Sequence, residues 1–319
     1  MPPEMPPEDA ALFARLCGEV GRDPEAYRRV RVWRKEDARR SHVVERFDGP
    51  GGGVVLKRIF RPADATGFRR VVGAQRRAAA AMDGAAGVPR VLAVDEGQQA
   101  VLMEAVAGET CLAMLETGAD PAQVLRAAGG WMAAFHRAGP VETRVFQPRF
   151  MRDHLTHLLA ELEAGVITVP HRKAFERAAR AAIDLAPEFE GRETRSSWTH
   201  GDLNLHNIVL DGPRSYGLDF TADHTAPVGF DIARLLINFA GRYVPVKALG
   251  PGELLPAPLL GAFFEGYDLV GPEDPSVGYL LRVRLLMDWA SIPARLTQRS
   301  LGKTLRLEHL RRLARHALA

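Results

Sequence analysis

The sequence is poor in cysteine, since Cys17 and Cys111 are the only two among 319 residues and they lie far apart. No Cys-x-x-Cys pair occurs, which argues against a disulfide framework and against a zinc cluster. So few cysteines are typical of a protein that works in a reducing compartment. We therefore expect a cytoplasmic protein.

Long apolar runs and massed charge are also missing. No run approaches the roughly eighteen apolar residues that a membrane span needs, and residues 1–8 contain neither a basic nor an apolar targeting segment. The formal net charge is +3 and the sequence pI is about 9.0, but basic and acidic residues are interleaved. The sequence therefore predicts no membrane span, and it gives no indication of a nucleic-acid partner.

The most informative stretch is residues 198–210, where polar side chains come directly before the apolar run Ile208-Val209-Leu210. Such an order predicts polar groups held at the end of a buried strand rather than in a mobile loop. Residues 211–215 read Asp-Gly-Pro-Arg-Ser, a strong turn signal, and predict a hairpin. Folding the chain about Pro213 brings Asn207 and Asp219 side by side, close to Asp202.

Asn207 and Asp219 would supply an amide oxygen and a carboxylate, which are ligands that suit Mg²⁺. Asp202 would then remain as the proton acceptor for an attacking hydroxyl. The spacing of Asp202, Asn207 and Asp219 matches the catalytic and metal-binding arrangement of kinase-like phosphotransferases. Two alternatives stay open: His200, Asp202 and His206 could bind a transition metal, or the polar groups could brace a turn.

Three ordered motifs carry a family resemblance. They are His200-Gly201-Asp202 with Asn207, then Leu218-Asp219-Phe220, then Gly229-Phe230-Asp231-Ile232-Ala233. Together they resemble the aminoglycoside phosphotransferase and choline kinase family, over roughly residues 28 to 240. The sequence departs from the family at Asn204, where a histidine is frequent, and at His206, where a small residue is frequent. These departures bear on the acceptor more than on the reaction.

The resemblance implies an α+β, bilobal protein-kinase-like fold with a small β-rich amino-terminal lobe and a larger, mostly helical carboxy-terminal lobe. We expect a disordered tail at 1–7, a nucleotide-binding lobe at 8–103, a hinge at 104–108 and a catalytic, acceptor-binding lobe at 109–319. Strands are predicted at 29–34, 42–47 and 54–60. The stretch from Pro121 onward is predicted to be mainly helical.

The alternation in Val54–Phe60 places Lys57 on one face with Val55 and Ile59. A lysine on an apolar face is costly without an anion to meet, and the resemblance implies that Lys57 grips the nucleotide phosphates. It also implies that the loop 35–41, which lacks glycine, covers the triphosphate, with Ser41 and either Arg39 or Arg40 as contacts. The remaining nucleotide contacts implied are Met103 behind the adenine ring, the Glu104 carbonyl and the Val106 amide.

Three further residues are expected to support the site. His200 belongs to the catalytic motif, and Asp231 either caps a helix or, by the resemblance, braces the catalytic loop. Gln75 stands where the family usually has a glutamate paired with the strand lysine. Because a neutral partner lacks the charge-assisted part of that bond, we expect a Gln75→Glu variant to bind nucleotide at least as tightly as the parent.

The function that the resemblance implies is transfer of the γ-phosphoryl group of ATP or GTP, with Mg²⁺, to a hydroxyl of a small molecule such as a sugar, amino alcohol or antibiotic. Regions 140–200 and 242–319 are charge-balanced and then basic, which favours a neutral or anionic acceptor. Two alternatives are a catalytically silent nucleotide-binding scaffold and a metal-dependent hydrolase that uses His200, Asp202 and His206. The oligomeric state is left open.

Overall fold

A computed structural model of the protein describes residues 5–36, 40–82, 84–221 and 223–318. The helices are α1 (Pro7–Glu19), α2 (Ala65–Ala81), α3 (Cys111–Glu116), α4 (Pro121–Ala138), α5 (Arg149–Glu163), α6 (Arg172–Asp184), α7 (Gly229–Tyr243), α8 (Ala257–Gly266), α9 (Pro275–Ala290) and α10 (Leu301–Ala317). The strands are β1 (Arg28–Glu36), β2 (Ser41–Asp48), β3 (Val54–Arg61), β4 (Ala86–Gly87), β5 (Val91–Asp95), β6 (Ala100–Glu104), β7 (Glu109–Thr110), β8 (Glu142–Val145), β9 (Glu193–Trp198), β10 (Ile208–Asp211), β11 (Arg214–Gly217) and β12 (Thr225–Pro227). The predicted tail at 1–7 overlaps α1 at Pro7, and residues 1–4 lie outside the described part.

The chain divides into two units. The first comprises Met1–Glu109 and Val209–Asp223, and the second comprises Thr110–Ile208 and His224–Ala319. The segment 209–223 therefore joins the first unit, although chain order alone had placed it in the carboxy-terminal lobe. It does so because β11 pairs in parallel with β4, with Tyr216 opposite Gly87. The hairpin expected about Pro213 is present as the neighbouring strands β10 and β11.

The main sheet of the first unit has the strand order β1-β2-β3-β6-β5, and every neighbouring pair is antiparallel. The three strands predicted between residues 29 and 60 are all present, each one or more residues longer than expected. Strand β3 is central, and its register places Lys57 opposite Val44 on β2 and opposite Val101 on β6. Lys57 is thus held by hydrogen-bonded backbone on both sides.

Helix α1 covers one face of this sheet. Its apolar residues recur at helical spacing and meet the inward-facing residues of β2, β3 and β6. Phe13 stacks on Phe47 with ring centroids 3.9 Å apart. The buried residues of this layer are Leu12, Phe13, Leu16, Cys17, Phe47, Val54, Leu56, Ala93, Ala100 and Leu102. Each large side chain buried here stabilises the unit by about 1.5–3 kcal/mol, so this face of the sheet is firmly packed against α1.

Helix α2 packs against part of the opposite face. Phe68 and Val72 contact Val101, with Ile59 and Met103 at the edge of this cluster. Because side chains alternate along a strand, this face is the one that carries Lys57. The sheet therefore presents one fully covered face and one face on which a polar site can lie beside an apolar cluster.

The second unit is mostly helical, with a small antiparallel sheet of order β12-β9-β8. Helix α7 is buried on most of its surface, including Ile232, Leu235 and Leu236. Helices α4 and α8 approach so closely that a Cβ atom added at Gly129 or Gly266 would collide with the backbone of the other helix. Glycine is therefore required at this crossing, and the crossing helps to fix α4.

These observations confirm the predicted fold class. The protein has an α+β fold with a β-sheet-rich amino-terminal part and a mostly helical carboxy-terminal part. Across the described ranges, no helix combines the length and the apolar character needed to cross a membrane.

Candidate active site

The loop between β9 and β10 carries Asp202 and lies in the second unit. Two side chains of the loop fix its backbone. The side-chain amide nitrogens of Asn204 and Asn207 donate to the backbone carbonyl oxygen of Asp202 at 2.9 and 2.8 Å. Leu203 and Leu205 are fully buried and anchor the loop on both sides of Asn204. The Asp202 carboxylate remains 40% exposed, so a rigid loop presents an accessible carboxylate.

Asp231, on the first turn of α7, holds this loop from below. Its carboxylate, 2% exposed, accepts hydrogen bonds from the backbone amides of His200 at 2.7 Å and Gly201 at 3.2 Å. The N-cap of α7 is Val228, which makes no side-chain cap bond. Asp231 therefore contacts the loop that carries Asp202 and does not serve as the N-cap residue of its own helix.

The Asp231 carboxylate is also contacted by His136 from α4, with Nε2 3.4 Å from Oδ2. Burial alone would raise the pKa of the Asp231 carboxyl, but the hydrogen bond and charge interaction with His136, together with His200, hold that pKa below its usual range. The other ring nitrogen of His136 lies 2.9 Å from the hydroxyl of Tyr267. This buried network keeps Asp231 ionised, as an acceptor of several N–H groups must be.

His200 is fully buried, and its ring meets Trp131 and Phe135 of α4 edge to face, with centroids 6.0 and 6.2 Å apart. Its Nδ1 lies 3.4 Å from the backbone nitrogen of Asp202. His200 thus packs in the core behind the loop and supports it there.

Sequence reasoning missed Arg234, which lies on α7 one turn after Asp231. Its Nη1 is 3.0 Å from Oδ1 of Asp202, so the proposed proton acceptor already has a cationic neighbour within the second unit. The sequence could have indicated Arg234, because it is the single charged residue in the apolar run 232–237. A buried helix rarely carries an arginine without a partner for it.

In the first unit, Lys57 and Asp219 form an ion pair. Nζ of Lys57 is 2.7 Å from Oδ1 of Asp219, although the residues are 162 positions apart. Asp219 has a positive φ of 60°, a conformation that a non-glycine residue rarely adopts and that is frequent at functional sites. The fold therefore brings together two of the residues that the sequence assigned to phosphate and metal binding.

Gln75 is buried on α2, but its partners differ from those expected. Its Nε2 donates to the carbonyl oxygen of Pro89 at 2.9 Å and lies 3.7 Å from Sδ of Met103, whereas Lys57 is paired with Asp219. Gln75 thus ties α2 to the segment that precedes β5 and to β6. The side chain acts as a hydrogen-bond donor, which a glutamate could not replace at neutral pH.

Gln75→Glu is accordingly expected to lose stability rather than to gain nucleotide affinity. A carboxylate facing the Pro89 carbonyl would leave two buried acceptors together, at a cost of about 1–3 kcal/mol in the free energy of unfolding. Urea unfolding at pH 7 measures this loss, with the exposed Gln98→Glu as the matched control. A Gln75→Glu variant as stable as the parent would contradict the assigned bond to Pro89.

The expected hinge residues lie at the end of β6. The amide of Glu104 donates to the Arg90 carbonyl at 3.0 Å, and Arg46 donates to the Val106 carbonyl at 3.2 Å. These bonds use the Glu104 amide and the Val106 carbonyl, whereas the resemblance assigns the Glu104 carbonyl and the Val106 amide to adenine. The hydrogen bond from Arg90 lowers the pKa of the Glu104 carboxyl. Met103 shares the sheet face of Lys57, since it pairs with Val55.

Ser41 begins β2, and its backbone pairs with Glu36 and Arg61. Residues 37–39 of the expected phosphate loop lie outside the described part.

His42 was not predicted as a site residue, yet it shares the sheet face of Lys57, two positions from Val44. Burial lowers the pKa of His42, and the nearby charge of Lys57 lowers it further. Because His42 lies at the start of β2 on this face, it is a further site candidate.

The alternative metal site receives no support. Among the residues that the structure describes, no group of three or more His, Cys, Asp or Glu side chains is arranged to hold a metal ion. His200 is buried in the core, while His206 is exposed. Partial desolvation of its ring and the charge of Arg242 lower the pKa of His206. The hydrolase alternative, which needed His200, Asp202 and His206 around one ion, therefore lacks its site.

Comparison with solved structures identifies similar folds. A choline/ethanolamine kinase family protein from Mesorhizobium loti has a TM-score of 0.58 at 18% identity, covering 98% of this chain and 99% of that one. Glucosamine kinase, in complex with glucosamine, ADP and inorganic phosphate, has a TM-score of 0.56 at 16% identity, covering 97% and 85%. The amicoumacin kinase hAmiN, in complex with AMP-PNP, Ca²⁺ and Ami, has a TM-score of 0.56 at 15% identity, covering 91% and 87%.

At these identities the solved structures show the shared fold. No curated protein sequence matches the chain. A family model described as the phosphotransferase enzyme family matches residues 31–275, a range that includes Lys57, Asp202, Asn207, Asp219 and Asp231. This match confirms the family expected from the motifs and argues against a catalytically silent scaffold. The chain belongs to the phosphotransferase enzyme family and is a small-molecule kinase.

Proposed function

We propose that the protein transfers the γ-phosphoryl group of ATP, or of GTP, to a hydroxyl of a small metabolite with the help of Mg²⁺. Two of the similar solved kinases are in complex with ADP or AMP-PNP, and one of these also with Ca²⁺, which supports use of a nucleotide and a divalent cation here. Family membership supplies the reaction class. We propose a role in that reaction for each of the following residues of this chain.

The observation that carries the proposal is the ion pair of Lys57 with Asp219. The Lys57 side chain is only 20% exposed and lies on a central strand, so an anion is favoured beside its ammonium group. In the proposed complex Lys57 binds nucleotide phosphates, and its charge offsets theirs. Met103, Glu104 and Val106 are the proposed adenine contacts, and Ser41 is a proposed phosphate contact.

Asn207 and Asp219 are the proposed metal ligands, and their chemistry fits Mg²⁺. The nitrogen of the Asn207 amide donates to the Asp202 carbonyl, so the amide oxygen is the atom that can serve a hard cation. Asp219 supplies a carboxylate that is half exposed. One carboxylate and one amide oxygen, completed by phosphate oxygens and water, form a usual magnesium shell. A bound magnesium ion would offset negative charge on the phosphates.

Asp202 is the proposed catalytic base. Its carboxylate is exposed while its backbone is fixed by Asn204 and Asn207, so an acceptor hydroxyl can bind it in one orientation. Asp202 would orient that hydroxyl and take its proton as the phosphoryl group transfers. Because the transition state of phosphoryl transfer is loose, positioning and electrostatics supply most of the rate, and the base contributes about 10²- to 10⁴-fold.

The direct test is a turnover screen. Purified protein with MgATP or MgGTP is incubated with a library of hydroxyl-bearing metabolites, and nucleoside diphosphate release is measured together with the mass of the phosphorylated product. We expect at least one compound to gain a single phosphoryl group in a nucleotide-dependent manner. Nucleotide binding with no phosphorylated product from any compound would contradict the proposal.

His42→Ala is expected to weaken nucleotide binding by about 10- to 100-fold, as loss of one hydrogen bond to a charged group does. The lowered pKa keeps the free imidazole neutral at pH 7, whereas a bound triphosphate favours the protonated form. Binding therefore takes up a proton, and affinity should rise as the pH falls from 7.5 to about 6. Calorimetry with a non-hydrolysable nucleotide measures both effects.

The exposed His157→Ala is the matched control, since His157 is 71% exposed on α5. It should leave both the affinity and its pH dependence unchanged. If His42→Ala retains the parent's affinity and pH dependence, His42 does not contact the phosphates.

A further inference from the structure

Arginines from three helices of the second unit form ion pairs with two carboxylates. Arg234 of α7 lies 3.0 Å from Asp202, while Arg284 of α9 and Arg306 of α10 each lie 2.5 Å from opposite oxygens of Asp288. Asp288 is buried, but each of the three arginine side chains is still 28–29% exposed. Each guanidinium group thus has a carboxylate partner, and each side chain stays partly exposed, so it can also contact a ligand.

The cluster is unfavourable for positive charge. Burial lowers the pKa of Arg234, and the neighbouring charge of Arg284 lowers it further. The charges of Asp202, Asp231 and Asp288 act in the opposite sense, and the oxygens of Asp231 already accept bonds from His200 and Gly201. An arginine that lies beside a second arginine, partly out of water, therefore favours a further anion at its exposed side.

The position of Arg234 fixes where that anion would lie. An acceptor hydroxyl that gives its proton to Asp202 must sit about 2.6–3.2 Å from a carboxylate oxygen. Arg234 is in contact with the same carboxylate. A second polar group of a small acceptor, a few bonds away from that hydroxyl, therefore falls within reach of the guanidinium.

We propose that the acceptor carries an anionic group, a carboxylate or a phosphate, close to the hydroxyl that is phosphorylated, and that Arg234 binds this group with Arg284 nearby. The inference rests on the proposed function of Asp202. A planar guanidinium matches carboxylate and phosphate oxygens in a two-pronged geometry and is the side chain best suited to them. An ammonium group in the same place would be repelled, so polycationic acceptors are disfavoured.

The experiment compares acceptors that differ only in charge. Glycerol, glycerate, glycerol 3-phosphate and 2-amino-1,3-propanediol form one such series, and matched neutral, acidic, phosphorylated and amino sugars form another. We expect turnover to be confined to anionic compounds. Comparison of the carboxylate-bearing with the phosphate-bearing compounds shows which anionic group the site binds. Turnover that is highest with neutral or cationic compounds would overturn the inference while leaving the kinase function intact.

Variants of Arg234 separate substrate binding from support of Asp202. With the best anionic acceptor, Arg234→Gln should raise KM by about 10- to 100-fold, as loss of a charge-assisted pair does, and Arg234→Lys should raise it less. The exposed Arg312→Gln on α10 removes the same charge and should change neither KM nor kcat. A fall in kcat with KM unchanged would show that Arg234 only positions Asp202.

A binding measurement covers the case in which no compound is phosphorylated. The anionic members of both series are titrated by calorimetry into protein that holds a non-hydrolysable nucleotide. Binding by the parent that is lost in Arg234→Gln and kept in Arg312→Gln would support the anion site even if the proposed function failed. Absence of binding by every anionic compound would overturn the inference.

Discussion

Replacing Asp202 by asparagine is expected to lower kcat by about 10²- to 10⁴-fold, the usual contribution of a positioned base. The amide has nearly the shape of the carboxylate but cannot take the acceptor's proton. Nucleotide affinity should stay within about twofold of the parent, because Asp202 is not among the proposed phosphate, adenine or metal contacts. Steady-state turnover with the acceptor found by screening gives kcat, and calorimetry with a non-hydrolysable nucleotide gives the affinity.

Arg234 requires a control in this experiment, because it loses an anionic partner when Asp202 becomes neutral. Thermal unfolding shows whether the variant keeps the parent's stability, which we expect because the side-chain amides of Asn204 and Asn207 donate to the backbone carbonyl of residue 202 and not to its side chain. Asp184→Asn, at the exposed end of α6, removes the same charge and should keep full turnover. An Asp202→Asn variant with the parent's kcat would mean that another group accepts the proton.

The parts of the fold that the sequence predicted are those with local signals. The strands β1, β2 and β3 have alternating side chains, and the hairpin of β10 and β11 has a dense turn signal about Pro213. Such patterns involve residues within one element, where spacing alone determines which side chains share a face. The predicted motif around Asp202 is local in the same sense, because Asn204 and Asn207 close onto the Asp202 carbonyl within one loop.

Contacts between distant residues were not predictable in the same way. The sequence placed Lys57 on an apolar face and implied that an anion meets it, but could not show that Asp219, 162 positions away, pairs with it. It named Gln75 as the partner of Lys57, whereas the packing of α2 directs that amide to Pro89. Arg234 contacts Asp202 only because α7 runs beneath the catalytic loop. Each of these contacts depends on how elements pack, which spacing within one element does not encode.

Asp231→Ala is expected to cost about 3–5 kcal/mol in the free energy of unfolding, the typical loss when one partner of a buried charged network is removed. The substitution leaves the backbone amides of His200 and Gly201 buried without their acceptor and deprives His136 of its carboxylate. Asp231→Asn should lose less, because its amide oxygen can still accept one of the two N–H bonds. Urea unfolding of the three proteins measures the losses.

The pH dependence of these losses follows from the lowered pKa of Asp231. A carboxyl whose pKa is lower in the folded state contributes stability that is fully present above its unfolded pKa, about 3.9, and is lost as the pH falls through the folded pKa. The difference in stability between the parent and Asp231→Asn should therefore stay constant from pH 7 to about pH 5 and shrink below about pH 4.

Asp120→Ala is the matched control, because Asp120 is an exposed aspartate that only caps α4 through the Ala122 amide, and its loss should be about 1 kcal/mol. If Asp231→Ala were no more destabilising than Asp120→Ala, the carboxylate could not be holding the catalytic loop, and the rigid presentation of Asp202 would need another source.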